Sequence, residues 1–230
     1  MKALSPSTWT PLNQRRLSNF KKNKRGYYSL IFFSILFFVS LFAEFIANDK
    51  PIVVYYDDQL YTPVLNIYPE TTFGGDFETE ADYRDEYIAE LINAKGWMLW
   101  PLVRYSYDTI NYNLPVPAPA PPSAENWLGS DDQARDVVAR LLYGFRISVL
   151  FGLSLTIFSS IAGVLIGAIQ GFYGGKIDLI GQRFIEIWSG LPVLFLLIIM
   201  TSFITPNFWW LLGIMLMFSW MGLVDVVRAE

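Results

Sequence analysis

The chain has 230 residues, 53% hydrophobic and 17% aromatic, and its mean hydropathy is +0.34. It holds no Cys and no His, which excludes a disulfide framework, a thiolate nucleophile, a Ser-His-Asp triad and a His/Cys zinc site. The formal charge of −4 conceals a strong asymmetry along the chain, and the apolar residues pool into four runs, so the composition argues against a soluble enzyme.

Residues 1–26 carry Lys2, Arg15, Arg16, Lys21, Lys22, Lys24 and Arg25 without one Asp or Glu. Pro6, Pro11 and neighbouring Ser and Asn residues interrupt helical patterning, which predicts a short, solvated basic tail. Residues 27–47 follow, apolar apart from small hydroxyls and Glu44. At about 1.5 Å per residue the run can cross the hydrocarbon layer. Tyr27 and Tyr28 stand where an interfacial aromatic belt belongs. The run is too long and too late for a signal peptide and lacks a small-x-small cleavage site, so it reads as an uncleaved anchor. With a span directly after it, the basic tail is not read as a nucleic-acid arm.

Residues 48–146 change character, with sixteen acidic against seven basic side chains. Apolar residues at 52–56 and 60–65 flank Asp57-Asp58-Gln59, the pattern of a hairpin. Thr79-x-x-Asp82 resembles a capping box, and Tyr83, Tyr87 and Leu91 recur at helical spacing until Lys95-Gly96. Pro115, Pro117, Pro119, Pro121 and Pro122 then predict a stiff spacer. Residues 48–126 thus form a small acidic extramembrane insert. Over 127–146 an amphipathic interfacial helix is expected, capped by Ser130 with Gln133 completing the box.

Residues 147–230 hold three further spans. The second span of the chain, 147–170, is uncharged, and Ser159, Gly163, Gly167 and Gly171 recur every fourth residue. Such a small-residue stripe lets another helix backbone approach closely. A polar turn is expected at 172–183, then a span at 184–204 kinked by Pro192, a turn at 205–207 and a last span at 208–227. The positive-inside rule places the tail in the cytoplasm, residues 48–146 outside, and the turn with Lys176 and Arg183 inside.

No enzyme site emerges. Gly171-Phe-Tyr-Gly-Gly175-Lys176 is one residue short of a phosphate loop and lacks its Ser/Thr. Ser18-x-x-Lys21 lies in the basic tail and reflects its composition, and Asp57-Asp58 and Asp131-Asp132 are explained by a turn and a helix start. Met215, Met217, Trp220 and Met221 read as packing residues. Either the chemistry lies elsewhere or the function is transport, with a membrane-anchored sensor or assembly protein built on the insert as the rival.

Two stretches carry a family resemblance. Residues 127–148, with Gly129, Asp131, Arg135, Asp136, Arg140, Tyr143, Gly144 and Arg146, closely resemble a signature of dipeptide/oligopeptide ABC importer permeases. Residues 171–178, with Tyr173, Gly174, Gly175 and Asp178, followed by Arg183 and Pro192, resemble the next motif of that family. One departure is Ala134, where the family usually has Gly. The insert, with Tyr68–Asp76 and Tyr105–Asn111, is similar to that of microcin C/oligopeptide (Yej-type) permeases.

The resemblance implies an all-α polytopic helical bundle of the type I ABC importer class, with a small mixed α/β periplasmic insert. It implies a subunit in the bacterial inner membrane that carries peptides, including microcin C-like ones, by alternating access. The implied partners are a second homologous permease, two cytoplasmic ATPase subunits or a fused ATPase, a periplasmic peptide-binding protein and the lipid bilayer, with no nucleic acid. No cofactor is expected on this chain, since ATP and Mg would sit on the ATPases. Arg228 and Glu230 resemble the start of the family's ATPase-coupling segment, so four of six expected spans are anticipated and a longer chain is expected for uptake.

Overall fold

The computed structural model describes residues 10–230. Lys2 and Pro6 of the basic tail lie outside the described residues. The chain divides into two compact units at Arg146/Ile147.

The described residues of the first unit open with a helix where the sequence predicts a solvated tail without helical order. α1 (Pro11–Lys22) is started by Thr10, whose Oγ1 accepts from the Asn13 N–H at 3.4 Å. Pro11 opens the helix instead of breaking it, because the first helical N–H has no partner to lose. Lys21 and Lys22 in the last turn complement the negative helix end. Asn23 ends α1 and caps α2 (Lys24–Leu41), accepting from the Gly26 N–H at 3.3 Å. A short α3 (Ala43–Ile46) follows.

The insert contains a three-stranded antiparallel sheet in the order β2-β1-β3, formed by β1 (Val53–Tyr56), β2 (Gln59–Tyr61) and β3 (Gly96–Leu99). Asp57 and Asp58 turn the hairpin with φ of 48° and 61°, a pair of left-handed residues whose twist matches that of the strands. The core gathers on one face, where Phe73 is fully buried among Val54, Ile88 and Ile92. Tyr56, Tyr61, Tyr68 and Tyr83 set their rings edge-on to it at centroid distances of 5.3–6.3 Å. α4 (Glu86–Lys95) lays Ile88 and Ile92 into this core. Its cap is Asp85, which accepts from the Tyr87 and Ile88 N–H groups, and not the expected Thr79/Asp82 box. The Asp closer to the apolar repeat wins because only there are the orphan N–H groups within reach.

The proline stretch does more than space two parts of the chain. Ala120 within it is buried, its N–H donates to Ser130 Oγ at 2.9 Å and its carbonyl accepts from the Ser130 N–H at 3.0 Å. Ser130 is therefore a tether for this stretch and not the expected helix cap. The helix starts seven residues later, as α5 (Val137–Tyr173), which begins in the first unit and continues into the second. The anticipated interfacial helix and second span are thus one element of 37 residues, about 55 Å long. No proline or turn sequence separates Arg146 from Ile147, and Gly144 alone does not stop a helix.

In the second unit the expected polar turn at 172–183 is mostly helical. Gly174 and Gly175, at φ +56° and +54°, break the chain, and α6 (Gly175–Ser189) resumes at once. The charges read as a turn lie along one helix. At Gly190–Pro192 the backbone bends by 60° into α7 (Val193–Thr201), because Pro192 has no N–H to donate one turn back. Asn207 starts α8 (Phe208–Ser219), accepting from the Trp210 N–H at 2.9 Å, and α9 (Met221–Arg228) follows. Among the described residues, three helical stretches are long and apolar enough to cross a membrane, Lys24–Leu41, Val137–Tyr173 and Phe208–Arg228, or four if the bent pair α6–α7 counts as one span.

Candidate functional site

In the first unit, residues 129–146 form a polar clamp around the start of α5. Gly129 has φ +77°, and a Cβ there would stand 2.3 Å from the Ala120 carbonyl oxygen, so only glycine fits. Asp131 Oδ1 accepts from the Gln133 and Arg135 N–H groups, both at 2.9 Å. Its Oδ2 receives Arg135 Nε at 2.9 Å and also pairs with Arg140. Desolvation pushes the Asp131 carboxyl up, but these donors outweigh it and hold its pKa well below the usual carboxylate range.

Ala134 lies in the loop at φ +60°. The sequence reading placed it at a helix start that it would stiffen. It occupies instead a left-handed position, which explains the family's glycine and costs an alanine roughly 1 kcal/mol.

Asp136 is fully buried and caps α5. Its Oδ1 accepts from the Ala139 N–H and its Oδ2 from Asn126 Nδ2, each at 2.8 Å. Asn111 Nδ2 donates to Asn126 Oδ1 at 3.2 Å and to the Tyr105 hydroxyl at 2.8 Å, extending a buried chain of amides. Two turns further along α5, the Tyr143 hydroxyl donates to the Ala47 carbonyl at 2.9 Å. Arg146 binds both Glu44 oxygens at 2.8 Å and lies 5.0 Å from the Tyr143 ring centre. Gly144 faces open space. Asn111, Asn126 and Glu44 are the members that sequence reasoning missed. Their partners lie 15, 10 and 102 residues away, and no local pattern marks them.

The second unit is joined differently. A Cβ on Gly163 would stand 2.7 Å from the Trp220 carbonyl oxygen, and one on Gly167 2.8 Å from that of Val224. At Gly171 the corresponding distance to the Arg228 carbonyl is 3.1 Å. The three glycines therefore hold α5 against the α8–α9 segment along one line, helix backbone to helix backbone. Ser159, the fourth member of the stripe, donates to the Thr156 carbonyl of its own helix at 3.3 Å.

Past this line lies a polar clasp. Arg228 binds Asp178, with Nη2 to Oδ2 at 2.6 Å, joining α9 to α6. Gln182 Nε2 donates to Gln170 Oε1 at 3.0 Å and to Asp225 Oδ1 at 3.2 Å, so α5, α6 and α9 meet at one amide. Gln170 is buried. Gln170, Gln182 and Asp225 escaped the sequence reading, although polar groups inside apolar helices are the signal that marks such positions. The other motif residues stand apart from the clasp. Arg183 pairs with Glu186 on the same exposed helix face, Tyr173 is exposed beside Phe172, and Glu230 is exposed at the end of the chain.

These contacts interlock helices. They arrange neither a nucleophile beside a base nor donors around a phosphate. Comparison with known proteins supplies the context. Residues 163–230 match the model of the family described as binding-protein-dependent transport system inner membrane component. Residues 11–63 match the N-terminal TM domain of oligopeptide transport permease C. The chain is 54% identical over 224 residues to the inner membrane ABC transporter permease protein YejE of Escherichia coli, covering 97% of this chain and 66% of that protein. It is 52% identical to the peptidoglycan transport system permease protein YejE of Agrobacterium fabrum, covering 96% and 64%. The dipeptide transport system permease protein DppC of Bacillus subtilis is 36% identical over 110 residues, covering 48% of this chain and 34% of that protein. The chain thus spans just under two thirds of the length of the two YejE relatives.

Proposed function

Since the chain belongs to the family of binding-protein-dependent transport inner membrane components, we propose that it serves as a transmembrane permease subunit of an ABC importer carrying peptides, microcin C-like ones among them, across the bacterial inner membrane. The observation that carries this reading is the coincidence of the 163–230 family match with the interlocked helices. A permease must move helices as rigid groups between two access states, and close backbone contact makes α5 and α9 such a group.

In this reading the basic N-terminal segment is cytoplasmic and residues 48–146 are periplasmic, facing a peptide-binding protein. Lys176 and the Asp178–Arg228 clasp face the cytoplasm, next to two ATPase subunits or a fused ATPase. A second, homologous permease completes the pathway. The chain itself hydrolyses nothing and binds no cofactor. ATP and Mg act on the ATPases, whose closure favours one of two permease states.

Two experiments test this. Glu90→Cys and Lys176→Cys can each be introduced as a lone thiol, because the chain has no cysteine. A membrane-impermeant maleimide should label the first from the periplasm and the second only after the inner membrane is opened. The reverse result overturns the orientation. Reconstitution of the full-length protein with the partner permease, the ATPases and the binding protein should give ATP-dependent peptide accumulation in proteoliposomes. Accumulation unaffected by omitting this subunit overturns the function.

A further inference from the structure

The first unit contains a cavity of about 640 Å³ between α4, β3 and the segment 100–125, a size typical of sites for small organic ligands. Arg84, Asn93, Trp100, Arg104, Asn113 and Glu125 are among its lining residues, with Met98 and Leu102 adding apolar wall. Two of the few cations in a strongly acidic region therefore line one cavity. Of the other cations of the region, Lys95 lies 5.5 Å from the Tyr56 ring centre and the remaining four are ion-paired. Lys50 pairs with Glu80, Arg135 and Arg140 pair with Asp131, and Arg146 pairs with Glu44.

Arg84 and Arg104 form no ion pair among the described residues. Each lies over an aromatic face instead, Arg84 at 4.3 Å from the Tyr105 ring centre and Arg104 at 5.5 Å from that of Trp100. A ring face holds a guanidinium in place while leaving most of its edge N–H donors free. The one carboxylate in the lining, Glu125, accepts from the Tyr105 hydroxyl at 3.3 Å. Asn93 and Asn113 add exposed amides to the same wall.

We propose that this cavity binds the C-terminal residue of a peptide, with its carboxylate on Arg84 and Arg104 and its apolar side chain against Met98, Trp100 and Leu102. Each guanidinium carries a fork of parallel N–H donors, the geometry a carboxylate accepts best. The apolar wall gives the neighbouring side chain somewhere to go. The inference deepens the importer reading, on which the word peptide rests, and places a substrate contact in the extramembrane unit.

The test uses the full-length protein in nanodiscs and isothermal titration with three probes: Ala-Ala-Phe with a free carboxylate, its C-terminal amide, and a blocked peptide with an internal glutamate beside phenylalanine. The free acid should bind, and the amide at least about tenfold more weakly. Arg104→Gln, an exposed position held only by its ring contact, should weaken the free acid by about tenfold and leave the amide unchanged. Arg84→Gln should do the same. Equal binding of acid and amide, or indifference to Arg104→Gln, overturns the proposal. Preference for the blocked glutamate peptide also overturns it, in favour of an acidic loop of a protein partner. Because the readout is binding without ATP, loss of transport in reconstitution would leave this result standing, and failure of binding would leave the importer reading untouched.

Discussion

The polar clamp around the start of α5 and the glycine line further along the same helix solve one problem in opposite ways. At Asp136 a buried carboxylate collects donors from a backbone N–H and from Asn126. At Gly167 the contact with Val224 exists because a side chain is absent. In water, apolar burial supplies the drive and directed hydrogen bonds select one arrangement. In lipid no hydrophobic drive exists between helices, so shape must supply both. One helix is thus read by two different solvents.

The sharpest way to break the comparison is to fill the line. Gly167→Leu puts atoms where a Cβ would already be 2.8 Å from the Val224 oxygen. It should destabilise the second unit by roughly 3 kcal/mol or more, because backbone cannot yield as a side chain can. Gly152→Leu, on the same helix with nothing within 4 Å, should change little. Thermal unfolding of both variants in detergent measures the difference, and equal behaviour would mean that the line is not a packing surface.

The clamp should respond to pH where the glycine line does not. Asp131 is held below its unfolded value of about 3.9, so its contribution is present above that value and is lost as pH falls through the lower folded one. Asp131→Asn should cost about 2 kcal/mol near neutrality. The gap from wild type should narrow as pH drops below about 4. A constant gap down to pH 2 would remove the carboxylate from the account. Tyr143→Phe should cost about 1 kcal/mol by leaving the buried Ala47 carbonyl without its donor. Arg228→Gln should have the smallest effect on stability, under about 1 kcal/mol, since the Arg228 side chain is 37% exposed. Chemical unfolding monitored by circular dichroism ranks all of these.

How much of this was legible in the sequence depends on the range of the interaction. The hairpin at Asp57-Asp58 and the four-residue recurrence of Gly163, Gly167 and Gly171 are local patterns, and each is visible as spacing. α1 is hidden in the sequence because Pro11 reads as a breaker, whereas Thr10 before it makes it a first helical residue. For α5 the sequence points six residues too early, because Ser130 is a good cap by type, whereas Asp136 is the one next to the helix. At 172–183 the charges suggest a loop, whereas α6 carries them along a helix. The Asp178–Arg228 and Glu44–Arg146 pairs, 50 and 102 residues apart in sequence, left no local trace.

The bend between α6 and α7 constrains its surroundings. On its far side the first N–H groups of α7, those of Val193 and Leu194, begin a new ladder, and Pro192 has none to give. In hydrocarbon each unmet backbone group costs several kcal/mol. Where the bent pair α6–α7 crosses hydrocarbon as one span, its break must be bathed by water or sealed by another polypeptide, and acyl chains are the one neighbour it rejects. The 60° bend thus marks, for such a span, a side of the unit that turns away from lipid.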